Sequence, residues 1–136
     1  MFKSVNHVAI YVRNREEAVA FYRDILGAEL LFTVDNESDS ILIAMMELGN
    51  MRLELLELPV GKEEVVGAAQ NTLNHFAVNV DDIEEAVAFI KSKGYHFEDR
   101  EIYDVPHFGS PDLDLKVAFF RGPNGERIEL FKEIGV

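Results

Sequence analysis

The chain of 136 residues contains no cysteine. Disulfides, thiolate metal sites and cysteine nucleophiles are thereby excluded. Long apolar runs are also missing. The longest, Ile41 to Met46, has six residues, whereas a membrane-crossing helix needs about 20. Positive charge is scarce: 13 Lys and Arg stand against 25 Asp and Glu, a net charge of −12. A surface of that sign repels phosphate backbones and anionic lipid, so neither nucleic acid nor a membrane is expected as a partner. The stretch Met1-Phe2-Lys3-Ser4 has no apolar h-region, and cytoplasmic residence is the resulting expectation. Apolar residues make up 48% of the chain, which fits a globular protein and excludes disorder as the main state. The length suits a single domain, residues 1–136, able to bury its own core.

Internal repetition organises the chain. Residues 7–21 read HVAIYVRNREEAVAF and residues 75–89 read HFAVNVDDIEEAVAF, with nine of fifteen positions identical. A second echo follows: Arg52-Leu53-Glu54-Leu55 answers Arg127-Ile128-Glu129-Leu130. Repeats are expected at 1–58 and 74–136, joined by a linker at 59–73 in which 62–69 could form a short helix. The extra length of the second copy is placed in the loop Asp104–Asp112, with its two prolines.

Each copy carries the same order of signals. His7–Val12 and His75–Val80 read as buried strands. Asn14 and Asp82 are N-cap residues, each followed three positions later by Glu17 or Glu85. The next segment places Ala18, Tyr22 and Ile25, or Ala86, Val87 and Ile90, on one helical stripe. Gly27 and Gly94 stand where a helix C-cap glycine belongs. Further strands are expected at Glu29–Asp35, Ile41–Leu48 and Arg52–Leu58, and at His96–Tyr103, Leu115–Arg121 and Arg127–Phe131. Gly49-Asn50 and Pro123-Asn124-Gly125 supply the last turns. The unit is therefore βαβββ, present twice, and the fold class α+β.

Two histidines and two glutamates recur at equivalent places. His7 and His75 open the first strand of each unit, and Glu54 and Glu129 lie in the last. A carboxylate between leucines costs free energy to bury unless it is paired or binds a metal. Strand alternation turns Leu53 and Leu55 to one face and Glu54 to the other. Two imidazoles and two carboxylates suit one divalent ion per site: Ni, Zn, Co, Mn or Fe. The alternative for each is a satisfied strand histidine or a solvent-facing glutamate. The symmetric repetition favours the metal set His7, Glu54, His75 and Glu129.

These residues, with HVAIYV, the helix ending Phe21-Tyr22-Arg23-Asp24-Ile25-Leu26-Gly27, LELLE at 53–57 and Gly122-Pro123-Asn124-Gly125 before Ile128-Glu129-Leu130, resemble the vicinal oxygen chelate superfamily. That superfamily includes glyoxalase I, methylmalonyl-CoA epimerase, dioxygenases, and fosfomycin- and bleomycin-resistance proteins. The resemblance implies paired βαβββ modules forming curved mixed sheets around a metal cleft. It also implies a homodimer and a small-molecule substrate with vicinal oxygens. The glyoxalase I set His/Glu/His/Glu maps onto His7, Glu54, His75 and Glu129. Where glyoxalase I carries an arginine and an asparagine for glutathione, this chain has Tyr11 and Leu58, which points away from glutathione as the thiol. LELLE followed by Pro59 looks like the epimerase.

The activity so implied is a glyoxalase I-type lyase or isomerase that abstracts a proton next to a carbonyl through a metal-stabilised enediolate. Glu129 is the expected base, with Glu54 the second candidate. Alternatives are a methylmalonyl-CoA-type epimerase on the same site, or a metal-free binding protein that sequesters its ligand. Other residues carry weaker expectations. His107 lies in the aromatic loop 103–112 that could close on substrate. Arg23 and Arg121 could hold an anion, or pair with acidic neighbours. Adjacent Met45 and Met46 point to opposite faces of a strand. Phe21, Tyr22 and Phe89 are expected in helix-to-sheet packing, and His96 is structural.

Overall fold

A computed structural model of the chain describes residues 4–35, 37–59, 75–108 and 113–135. The elements run β1 (Val8–Val12), α1 (Arg15–Asp24), β2 (Glu29–Asp35), β3 (Leu42–Leu48), β4 (Met51–Glu57), β5 (Phe76–Asn79), α2 (Ile83–Ser92), β6 (Tyr103–Phe108), β7 (Leu113–Arg121) and β8 (Arg127–Gly135). They form two mixed four-stranded sheets, ordered β1-β4-β3-β2 and β5-β8-β7-β6. In each sheet the first strand lies parallel to the last, and the other pairings are antiparallel. The fold is α+β, and each half is one βαβββ unit. Among the described residues no helix is long and apolar enough to cross a membrane.

The first unit holds β1, α1, β2, β3 and β4, together with the turn Pro123–Gly125. Asn14 caps α1 as its pattern requires, its side chain accepting the Glu17 N–H at 2.8 Å. Gly27 ends the helix at φ +75°, a conformation that an L side chain resists. The Gly27 and Ala28 N–H groups then reach back to the Arg23 and Tyr22 carbonyls. The core lies between α1 and one sheet face, where Ala18, Tyr22, Ala44, Met46, Leu53 and Leu55 are fully buried. Val19 and Phe21 join this face, while Ile25 has become the C-cap residue and is half-buried. Met46 faces the helix and Met45 takes the opposite side, paired in register with Glu54.

A buried carboxylate completes this helix start. Glu57, at the end of β4, accepts the Arg15 N–H through Oε1 at 2.6 Å. It satisfies a backbone donor of the first helical turn, where a negative charge also meets the positive end of the helix dipole. Glu57→Ala is expected to lower stability by about 1–2 kcal/mol in chemical denaturation, with Glu57→Gln, which keeps an acceptor, losing less.

The second unit holds β5, α2, β6, β7 and β8. Asp82 caps α2 by accepting the Glu85 N–H at 3.0 Å. The stripe facing the sheet is Ile83, Val87 and Ile90, with Ala86 only half-buried. They cover Ala118, Phe120, Ile128 and Leu130. On the opposite sheet face Leu115, Val117 and Phe119 are buried beneath Tyr103, Val105 and Phe131.

Four expectations require correction. No strand spans His96–Tyr103. Phe97 makes a single bridge to Phe120, a turn follows, and the strand begins at Tyr103. Much of the segment expected as the aromatic loop 103–112 is instead strand β6. Pro106 is compatible with it because β6 lies at the sheet edge, where a missing N–H breaks no interior ladder bond. Phe89 is exposed rather than packed on the sheet, with the Lys93 ammonium 5.4 Å from its ring centre. The strands β1 and β5 alternate half-buried with exposed residues, apart from buried Val12 at the end of β1, instead of being buried on both faces. The short helix expected at 62–69 lies outside the described residues.

Candidate metal centre

The parallel pairing inside each unit decides which side chains meet. In the first unit Ala9 pairs with Glu54, so His7, just before β1, sits diagonally across from that glutamate. His7 Nε2 lies 3.6 Å from Glu54 Oε1. In the second unit Ala77 pairs with Glu129, and His75 Nε2 lies 3.1 Å from Glu129 Oε1. The topology thus yields the same His–Glu pair twice. Among the described residues no group of three or more His, Cys, Asp or Glu is gathered closely enough to hold an ion alone.

The donor chemistry of each pair fits a divalent cation. Two ligands bound to one ion at about 2.0–2.2 Å stand roughly 3–3.5 Å apart, and the two pairs show 3.1 and 3.6 Å. His7 Nδ1 is 2.8 Å from Asn6 Oδ1. When Nδ1 donates its proton there, the neutral ring turns the Nε2 lone pair toward Glu54. A lone pair aimed at a carboxylate is repulsive unless a proton or a cation lies between them.

The pairs differ in enclosure. The Glu129 side chain is 12% exposed and that of Glu54 22%. The residue beside each glutamate in the sheet explains the difference: Met45 pairs with Glu54, but Phe119 pairs with Glu129. The Phe119 ring meets the His75 ring edge-on at 5.5 Å. The guanidinium of Arg127, two residues before Glu129, lies 3.9 Å above Phe119. Glu98 accepts from Arg127 Nε and Nη2 at 2.9 and 3.0 Å. The hydrogen bond from Arg127 holds the Glu98 carboxyl below its ordinary pKa, against the opposing effect of desolvation. The pair is therefore intact at neutral pH and opens only as acid protonates Glu98 below the usual glutamate range. Tyr103 stacks on Phe119 at 6.4 Å and carries the Arg100 guanidinium 4.9 Å away.

The remaining candidates lie apart from these pairs. His107 is on the edge strand β6 at φ +56°, its N–H donating to Asp114 Oδ1 at 3.2 Å. His96 is exposed. Arg23 pairs with neighbouring Asp24, and Arg121 reaches Glu98 at 3.9 Å. Tyr11 is exposed and pairs in register with Leu56, while Leu58 is half-buried just past β4. Arg127, Glu98 and Phe119 escape a reading that looks only for donor atoms. The echo of Arg52 and Arg127, each two residues before a glutamate, was the available signal.

Relatives agree with this architecture. Over 116 residues the chain is 36% identical to human mitochondrial methylmalonyl-CoA epimerase, covering 82% of this chain. The chain spans 65% of that relative's length. It is 29% identical to the metallothiol transferase FosB of Staphylococcus epidermidis over 138 residues, covering 98% of this chain and 94% of the relative. A crystal structure of a glyoxalase family protein from Enterococcus faecalis superposes with a TM-score of 0.74 at 28% identity, covering 96% and 98% of the two chains. Two of these relatives are named as enzymes, an epimerase and a metallothiol transferase. Residues 6–109 match the profile of the Glyoxalase/Bleomycin resistance protein/Dioxygenase superfamily, and with a repeated βαβββ architecture in each half the chain belongs to that superfamily.

Proposed function

We propose that the protein is a metal-dependent enzyme that moves a proton at a carbon next to a carbonyl. The observation that carries this reading is the His–Glu pair built twice by the same strand pairing. His7, Glu54, His75 and Glu129 would hold one divalent ion: Ni, Zn, Co, Mn or Fe. When bound, the ion supplies Lewis-acid stabilisation of the negative charge that develops on the substrate oxygens. Glu129 takes the proton and returns it, with Glu54 the second candidate for the same work. Return to the neighbouring carbon is glyoxalase I-type lyase or isomerase chemistry. Return to the opposite face of the same carbon is epimerisation, which the identity to methylmalonyl-CoA epimerase favours. The reading places both units of two chains in a homodimer acting on a small molecule with vicinal oxygens.

Elemental analysis of protein purified without added metal or a His-tag tests the first step. Near-stoichiometric Ni, Zn, Co, Mn or Fe is expected in the wild type and its loss in the His7→Ala/Glu129→Ala double variant. Absence of metal from both, even after incubation with each ion, would return the chain to the metal-free binding reading.

A further inference from the structure

We infer that Arg127 and Glu98 are positioning residues that set the orientation of the His75 imidazole through the ring of Phe119. Four contacts form one chain. Glu98 grips Arg127 at two nitrogens, at 2.9 and 3.0 Å. The guanidinium lies 3.9 Å over the Phe119 ring. Phe119 meets His75 edge-on at 5.5 Å, and His75 Nε2 faces Glu129 at 3.1 Å. Glu129 meets one edge of the His75 imidazole. The buried Phe119 ring packed against it further restricts its rotation, and a planar cation fixed from outside keeps Phe119 in place.

The first unit is a natural control. Arg52 occupies the place of Arg127 and pairs with Glu47 at 3.3 Å. Its strand neighbour beside the glutamate is Met45, which offers no ring face. There the His–Glu separation is 3.6 Å and both side chains are slightly more exposed. The clamp accompanies the tighter pair. Residues that orient metal-binding imidazoles typically change metal affinity by about 10- to 100-fold when removed. Arg127 and Glu98 bring no ligand atom to the pair and act through Phe119.

The metal half of this inference rests on the reading above; the imidazole half does not. Two readouts on the full chain test it: the ring-proton NMR shifts of His75 without metal, and Co²⁺ affinity by titration. In Arg127→Ala the His75 shifts are expected to move toward those of a free imidazole, and Co²⁺ affinity to fall at least about tenfold. Arg127→Lys keeps the charge but not the flat guanidinium, and should restore less than half of that loss. Arg52→Ala should change affinity less than twofold. Wild-type His75 shifts and affinity in Arg127→Ala would overturn the inference, even with a lowered Tm. Should Arg127→Ala fail to fold, Arg127→Met, which keeps the packing over Phe119 but not the guanidinium, carries the same test by the same two readouts. A wild type that binds no Co²⁺, while Arg127→Ala still moves the His75 shifts, would uphold the positioning role and overturn the metal reading alone.

Discussion

Glu129→Gln is expected to lose at least about 100-fold in turnover while keeping most of its metal. The substitution preserves side-chain length and one oxygen but removes the proton acceptor. The two glutamates are not equivalent candidates. Glu129 is the more enclosed, beside Phe119 and two residues from the clamped Arg127, and such surroundings hold a base in one geometry. The measurement is deuterium uptake from solvent into the carbon next to the carbonyl, followed by NMR. The compounds to be assayed are 2-methylmalonyl-CoA and the thiol adducts of methylglyoxal. Metal content of the same samples separates loss of the base from loss of the ion. Full exchange in Glu129→Gln would remove Glu129 from the mechanism and pass the role to Glu54.

Phe120→Ala should be the most damaging single change to folding, about 3–5 kcal/mol in denaturant. Phe120 is fully buried under α2, with Phe97 and Tyr95 at ring distances of 5.2 and 6.1 Å. Truncation leaves a cavity among rigid strands, and stabilities of domains this size total only about 5–15 kcal/mol. Phe89→Ala removes the same chemical group from an exposed site, so its cost should stay near 0.5 kcal/mol. Equal losses from the two would show that the buried face has been misassigned.

The helix caps were legible because each depends on local spacing, and the two His–Glu pairs because the same residues recur at equivalent places of the two copies. A cap is a four-residue pattern, and Asn14 and Asp82 each close theirs. The glutamates stood out because the leucines around Glu54 alternate with it. Phe89 misled because an aromatic on an amphipathic helix reads as core, whereas in α2 Ile83 took the place on the stripe. The strand expected at His96–Tyr103 failed for a different reason. Arg100 and Glu101 both adopt positive φ, a turn that neither residue type advertises. The clamp on His75 was hidden because Glu98, Phe119 and Arg127 come from three separate segments. Only the register of β7 with β8 brings Phe119 and Glu129 side by side.

The irregular outer strand has a consequence for behaviour in concentrated solution. In β6 the pairing with β7 shifts between Val105 and Phe108, Pro106 has no N–H, and His107 adopts a positive φ. An exposed sheet margin is ordinarily a template on which a second chain can extend the hydrogen-bond ladder. Here an incoming strand would find one donor missing and the backbone turned out of line within three residues. The exposed Phe108 beside that break therefore sits where an added strand could form only a short, interrupted ladder.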